Sequence, residues 1–313
     1  MKTSKIKTKF VCGQCQYESY QWLGKCPSCG AWNTFVEEKS APSVDLQNQM
    51  GRLTDFSSQA NQLKHIKEAE FKRFKTGISE FDIITGGGAV SGSLTLLGGA
   101  PGIGKSTLML HISDKLSAFG NVLYISGEES PSQVKSRADR LNIKKENIFL
   151  ASETNLQNII EEINRVELQF LIIDSIQTVY HPLISAYPGS PAQIRESAAE
   201  ILRIAKSKNI TVFLLGHITK DGDLAGPRIL EHLVDTVLYF ENEKQHIYRI
   251  LRVFKNRFGP TNEMGIFEMT SSGLKEVSNP SSVFLSQRNT QESGGIITVS
   301  MEGMRPILLE VQA

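Results

Sequence analysis

Ten residues, Gly98 to Thr107, read Gly-Gly-Ala-Pro-Gly-Ile-Gly-Lys-Ser-Thr and restrict the fold more than any other stretch of the chain. Gly99 to Ser106 fits G-x-x-x-x-G-K-[ST], a loop whose glycines let successive backbone N–H groups curve around an anion. Leu94 to Leu97, just before it, reads as a buried strand, and Thr107 to Phe119 reads as a helix. Such a helix turns its positive N-terminal end toward the loop. Strand, glycine loop and helix in this order predict a polyphosphate cradle. Gly99, Ala100, Pro101, Gly102, Ile103, Gly104 and Thr107 line it, Lys105 supplies charge, and the Ser106 hydroxyl can ligate Mg2+.

The flanking sequence repeats the same alternation. Val122 to Ser126, Ile148 to Ala151, Phe170 to Ile173 and Val212 to Leu215 read as short apolar strands. Between them, Val134, Ala138 and Leu141, then Leu156, Ile159, Ile160 and Ile163, then Ile194, Ala198, Ile201, Leu202 and Ala205 recur at helical spacing. Ser130, Pro131 and Gln133 predict a capping box at the first of these helices. The fold class that follows is α/β, a mostly parallel sheet with helices on both faces and a ligand at the carboxyl ends of the strands. Beyond Leu233, the strand-rich stretches 234–240, 246–257, 265–270 and 274–277 predict an antiparallel edge added to that sheet. Gly86-Gly87-Gly88 reads as a turn ahead of the nucleotide strand.

All four cysteines lie in the first thirty residues, as Cys12-x-x-Cys15 and Cys26-x-x-Cys29. Two such pairs can direct four thiolates at one tetrahedral ion, which predicts structural zinc with no open coordination position; two disulfides are the alternative. Tyr17, Tyr20, Trp22, Trp32 and Phe35 are expected to form the mini-core of this knuckle. The domain reading is a zinc knuckle over 1–36, a polar linker over 37–68, a nucleotide domain over 69–277 and a C-terminal segment over 278–313. The 34 basic and 33 acidic side chains leave a net charge of +1. Composition therefore offers no chain-wide polyanion footprint, and any nucleic-acid site must be a local patch. No apolar run has membrane-spanning length, and no apolar segment follows Lys2, Lys5, Lys7 and Lys9, so a cytoplasmic protein with no membrane partner is expected.

Hydrolysing a nucleoside triphosphate also requires a held metal, an oriented water and positive charge on the leaving phosphates. Asp174, at the end of Phe-Leu-Ile-Ile, has the position of a Mg2+-holding carboxylate, or caps the following turn. Glu128 and Glu129 both follow a strand end and either could polarise water, or both belong to a solvated turn. Lys255 and Arg257 stand two apart at a strand end and face one side, as phosphate-directed cations of a neighbouring subunit or as a solvated edge. A lone strand-end histidine such as His217 is more often structural.

Taken together, these segments resemble the bacterial RadA (Sms) DNA-repair ATPases, relatives of RecA. The likeness rests on the cysteine knuckle with Ala31-Trp32-Asn33-Thr34, the loop Gly99 to Thr107, Ser126-Gly127-Glu128-Glu129-Ser130, Ile173-Asp174-Ser175-Ile176-Gln177, Gly216-His217-Ile218-Thr219-Lys220, Ala225-Gly226-Pro227-Arg228 and Lys255-Asn256-Arg257-Phe258-Gly259. The resemblance implies a DNA-dependent, helicase-type ATPase of RecA-like fold, using ATP, Mg2+ and Zn2+. It would form a homo-oligomeric ring, bind single-stranded and branched DNA, and extend strand exchange beside a RecA-type recombinase filament. It also implies that Glu128 activates water, that Lys255 and Arg257 act in trans, and that His217 senses the terminal phosphate. DNA-contact loops would span about 181–193 and 219–228, with Lys220 and Arg228 meeting phosphates. A nucleotide-dependent scaffold that recruits repair partners without translocating is the alternative. The family normally ends in a Lon-protease-like domain, which Asn279-Pro280-Ser281-Ser282 and Met304-Arg305-Pro306 begin to resemble. Residues 278–313 are thus expected to start a truncated Lon-like domain in a shortened chain, leaving Ile296 to Val299 and Ile307 to Val311 as exposed strand edges.

Overall fold

The computed structural model of the chain describes residues 8–12, 18–19, 21–39, 62–65, 71–217, 227–242, 248–279, 281, 285, 295–302 and 305–312. Two compact units divide after Leu53. No helix among the described residues is long and apolar enough to cross a membrane.

In the first unit, β1 (Thr8–Cys12), β2 (Glu18–Ser19) and β3 (Phe35–Lys39) form an antiparallel sheet in the order β2-β1-β3. Pairing of Thr8 with Lys39 carries β3 into the stretch expected as linker; most of that stretch lies outside the described residues. The two tryptophans do not form the expected mini-core. Trp22 and Trp32 are 56% and 69% exposed, while Tyr17, Tyr20 and the Phe35 side chain lie outside the described residues. The interior is taken instead by Cys12 and Cys26, with Leu23 against them, and a core of sulfur has no room for indoles.

The second unit is built on a sheet whose strands alternate between two faces, because successive side chains of a strand point to opposite sides. In chain order after the short pair β4 (Arg73–Phe74) and β5 (Ala89–Val90) come β6 (Leu94–Gly99), β7 (Val122–Ser126), β8 (Ile148–Ser152), β9 (Phe170–Asp174), β10 (Thr211–His217), β11 (Thr236–Asn242), β12 (Tyr248–Asn256), β13 (Met264–Thr270) and β14 (Gly273–Glu276). The last nine form one sheet in the order β14-β13-β12-β11-β6-β10-β9-β7-β8. Leu97, Val122, Tyr124, Phe170 and Ile172 face one core, which receives α1 (Ser79–Ile84), α2 (Lys105–Leu116) and α3 (Pro131–Arg140). Leu94, Leu96, Leu123, Leu171 and Ile173 face the other, beneath α4 (Leu156–Arg165), α5 (Pro191–Lys208) and α6 (Pro227–Glu231). The capping box at α3 forms as expected, with Ser130 Oγ accepting from Gln133 N and Gln133 returning to the Ser130 backbone.

One strand departs from expectation. β11 joins the parallel set beside β6, pairing Val237 with Leu96 and Phe240 with Gly99, so the antiparallel extension begins only at β12. The chain between β10 and β11 crosses β6 and returns in the same direction, a connectivity that local apolar pattern does not encode. At the C-terminus, β15 (Gly295–Glu302) and β16 (Arg305–Gln312) pair as an antiparallel hairpin. Ile296 and Val299 are 66% and 56% exposed, but Ile307 is buried against Met264 and Ile266. The second predicted edge is therefore docked at that point.

Candidate active site

Parallel register brings the sequence-predicted residues to one end of the sheet. Ser126 pairs with Asp174 across β7 and β9, and His217 pairs with Gly99 across β10 and β6. Between Gly99 and α2 the loop turns through Gly102 (φ +74°) and Gly104 (φ +115°). A Cβ on Gly104 would also meet Met269 Cε at 2.8 Å, and one on Gly99 would meet the Phe240 carbonyl oxygen at 2.8 Å. Backbone angle dictates glycine at the first two positions, and space does so at the last.

These strand ends and the loop line a cleft of about 460 Å³, with Lys105, Ser106, Glu128, Asp174, His217 and Arg249 among its walls. Lys105 is 5% exposed. Its Nζ donates to the carbonyls of Gly99 (2.8 Å) and Ala100 (3.0 Å) and lies 3.3 Å from His217 Nδ1. Burial lowers its pKa, opposed by the negative charges of Asp174 and Glu128. An ammonium donating to Nδ1 makes that nitrogen the acceptor, so His217 carries its proton on Nε2, 2.8 Å from Glu128 Oε1. Ser175 Oγ donates to the same Oε1 at 2.5 Å. Burial pushes the Glu128 carboxyl up, but the hydrogen bonds from Ser175 and His217 and the charge of Lys105 outweigh it, leaving the pKa below the usual glutamate range.

Glu129, its neighbour, points into an ion pair. Arg137 holds both its oxygens, at 2.6 and 2.7 Å, and that bond is the main reason the Arg137 pKa is raised. Asp174 is 8% exposed and accepts at Oδ2 from the Tyr124 hydroxyl at 2.6 Å. Burial, then Asp174, raises the Tyr124 pKa, whereas the Ser106 hydroxyl acts on it in the opposite sense. The phenol therefore keeps its proton and orients Asp174, with Ser106 in reach of the same hydroxyl. Two hard oxygen donors on adjoining elements suit Mg2+.

Lys255 and Arg257 stand elsewhere. Lys255 Nζ donates to the carbonyls of Glu231 (2.5 Å) and Val234 (2.8 Å), and Arg257 Nη1 to Asp235 Oδ1 (3.2 Å). Because Asp235 is bonded to Leu94, Arg257 aligns with the start of β6, roughly 17 Å along the strand from Gly99. It cannot serve the cleft of its own chain. The loop after Asp174 is tied down by Gln193, whose Nε2 donates to the carbonyls of His181, Ile184 and Ala186. Tyr187, in that loop, is 88% exposed. Lys220 and the Arg228 side chain lie outside the described residues.

In the first unit, Sγ atoms of Cys12, Cys26 and Cys29 lie within 4.8 Å of one another, and those of Cys12 and Cys29 are 3.7 Å apart. Four sulfurs at about 2.3 Å from zinc stand about 3.8 Å apart on a tetrahedron, so the cluster fits such an ion. Cys15 lies outside the described residues.

Sequence reasoning missed Tyr124, Ser175, Arg137 and Arg249. Arg249 reaches the loop itself, its Nε donating to the Ile103 carbonyl at 3.3 Å. Ser175 stands in the 173–177 segment but with no role assigned to it there, and the other three stand in no motif.

A phosphate loop at the end of β6, with a strand-end carboxylate two strands away, defines a P-loop ATPase of RecA- and KaiC-like fold preceded by a four-cysteine zinc ribbon. A family described as "AAA domain" matches residues 59–223, and one described as "Rubredoxin metal binding domain" matches residues 10–37. A KaiC-like protein from the archaeon Pyrococcus horikoshii superposes with a TM-score of 0.56 at 22% identity, over 66% of this chain and 100% of that one. The DNA repair protein RadA of Bacillus subtilis is 53% identical, over 99% of this chain and 68% of that protein. RadA of Listeria monocytogenes is 52% identical, over 100% of this chain and 68% of that protein. The chain belongs to the RadA family of DNA-repair ATPases.

Proposed function

We propose that this chain hydrolyses ATP to move on single-stranded DNA at recombination intermediates, promoting branch migration of strand exchange. The observation that carries the proposal is the chain of contacts Lys105–His217–Glu128 across the cleft. It ties the phosphate loop to the carboxylate best placed to act on water and to the strand from which the 219–228 loop departs. Lys105 and the loop backbone grip the triphosphate, and Ser106 and Asp174 hold Mg2+, which neutralises charge on the β- and γ-phosphates. Glu128 orients water, and His217 reports the terminal phosphate. The separation of roughly 17 Å along the strand supports Arg257, with Lys255 two residues before it, as a cation that reaches the phosphates of an adjoining subunit in a homo-oligomeric ring.

The 181–193 and 219–228 loops contact DNA without reading bases, with Lys220 and Arg228 on phosphates and an exposed aromatic such as Tyr187 suited to stacking. Cys12, Cys15, Cys26 and Cys29 hold zinc as a closed structural site. A RecA-type recombinase filament is the protein partner, and residues 278–313 begin a Lon-like domain. Phosphate release is measured against single-stranded and duplex DNA. Single strands are expected to accelerate turnover more than duplex does, and an unchanged rate on both refutes the DNA-driven reading.

A further inference from the structure

Asp235 is 3% exposed, and three donors converge on its carboxylate. Its Oδ2 accepts from Lys206 Nζ (2.7 Å) and Leu94 N (3.1 Å), and its Oδ1 accepts from Arg257 Nη1 (3.2 Å). The main chain repeats the connection, with Arg257 N donating to Asp235 O at 3.1 Å and Asp235 N donating to Leu94 O at 2.9 Å. Arg257 is thus gripped at both its backbone and its guanidinium by one residue. The arginine side chain is nevertheless 54% exposed. One carboxylate cannot neutralise both Lys206 and Arg257, so the guanidinium keeps positive charge for another anion. Lys206 belongs to α5, an eighteen-residue helix packed on the second core, which makes the anchor opposite Arg257 rigid.

Resting on the reading of Arg257 as a cation that acts in trans, we propose that Asp235 is its positioning residue. It presents the guanidinium at a fixed height and angle to the phosphates bound by the adjoining subunit. A buried carboxylate is costly unless it is paired and hydrogen-bonded, and the three donors on Asp235 meet that requirement while locking one geometry. Displacing a catalytic group by about 1 Å can cost about a hundredfold in rate, so loosening this seat acts on kcat. Nucleotide KM, set in the cleft of the other subunit, is untouched.

The test uses mixed assemblies of the full chain. Subunits carrying Lys105→Ala keep an intact Arg257 but lack their own cradle; subunits carrying Arg257→Ala keep the cradle but lack the cation. Mixing the two is expected to restore turnover, and absence of rescue overturns the trans reading itself. Asp235→Asn is then added to one partner at a time. Added to the Lys105→Ala donor it should cut the rescued kcat by about tenfold to a hundredfold with unchanged KM; added to the Arg257→Ala acceptor it should leave rescue in place. Loss on the acceptor side only would mean that Asp235 acts through Leu94 and β6 of its own chain. Rescue surviving on both sides would remove its role altogether; either result overturns the proposal while leaving the trans reading intact. If Asp235→Asn does not fold, as judged by Tm, Lys206→Met, which alters only the half-buried end of the network, should show the same donor-side loss at smaller size. Equal rescue with that variant on either side would overturn the proposal.

Discussion

Glu128→Gln isolates what the carboxylate does, because the structure separates its two oxygens. Oε1 accepts from both Ser175 and His217, whereas Oε2 has no hydrogen-bond partner among the described residues, and Glu128 lines the cleft. A glutamine can keep its carbonyl oxygen on Ser175 and His217, which places the amide nitrogen where Oε2 was. The group facing water then changes from acceptor to donor while the fold and the grip on nucleotide stay as they were. The pKa of Glu128 lies below the usual carboxylate range, the hydrogen bonds and Lys105 prevailing over burial, so at neutral pH the substitution also removes a full negative charge. General-base assistance contributes about 10²- to 10⁴-fold, which is about 3–5 kcal/mol of barrier. The expectation is a kcat lower by that factor, measured as phosphate release, with the Kd of a fluorescent ATP analogue within about threefold of the parent because no binding hydrogen bond is lost. Glu129→Gln is the control. It breaks a half-buried pair with Arg137 and should change kcat by no more than about fivefold, in line with the modest value of such pairs. If Glu129→Gln costs more turnover than Glu128→Gln, or if Glu128→Gln stays within tenfold of the parent, the assignment is wrong.

Two further outcomes follow from geometry remote from the cleft. Arg305 reaches both oxygens of Glu80, whose side chain is 3% exposed. Arg305→Ala leaves that carboxylate buried with, among the described residues, only the Ile266 amide as donor and should lower stability by about 3 kcal/mol, read from the urea midpoint. A loss under about 1 kcal/mol would show that the hairpin is not anchored there. Chelating metal from the full chain, or replacing Cys26 with serine, should release zinc by native mass spectrometry and abolish protection of the 8–39 amides from exchange. Turnover without DNA should persist, since a closed thiolate site supplies shape and not chemistry. Retained protection after complete metal loss would remove the structural role.

Local pattern made the cradle, the strand–helix alternation and the capping box legible, because each follows from residues within a turn or two of one another. What lay beyond reach was set by register. Glu128 and Glu129 are equivalent on the page of the sequence, and what separates them is Arg137, in the helix that follows, taking Glu129 with both terminal guanidinium nitrogens. Tyr124 looks like one more apolar strand residue until the pairing of Ser126 with Asp174 sets its phenol beside that carboxylate. The Gly86-Gly87-Gly88 run, legible only as a turn, closes tightly on two distant segments. A Cβ on Gly88 would stand 2.4 Å from the Phe74 carbonyl oxygen, and one on Gly86 would stand 3.3 Å from Gly259 Cα, in the turn that follows Arg257. Arg73 spans the same junction, donating to the carbonyls of Thr85 and Phe258. A glycine whose partner lies some 170 residues away leaves no local trace of why it is needed. Composition can therefore suggest where the triphosphate sits, while the placement of the groups around it depends on which strand lies beside which. Pairing His217 with Gly99 across β10 and β6 is enough to bring that imidazole into contact with Lys105. A slip of one residue would turn it to the opposite face and break the link to Glu128.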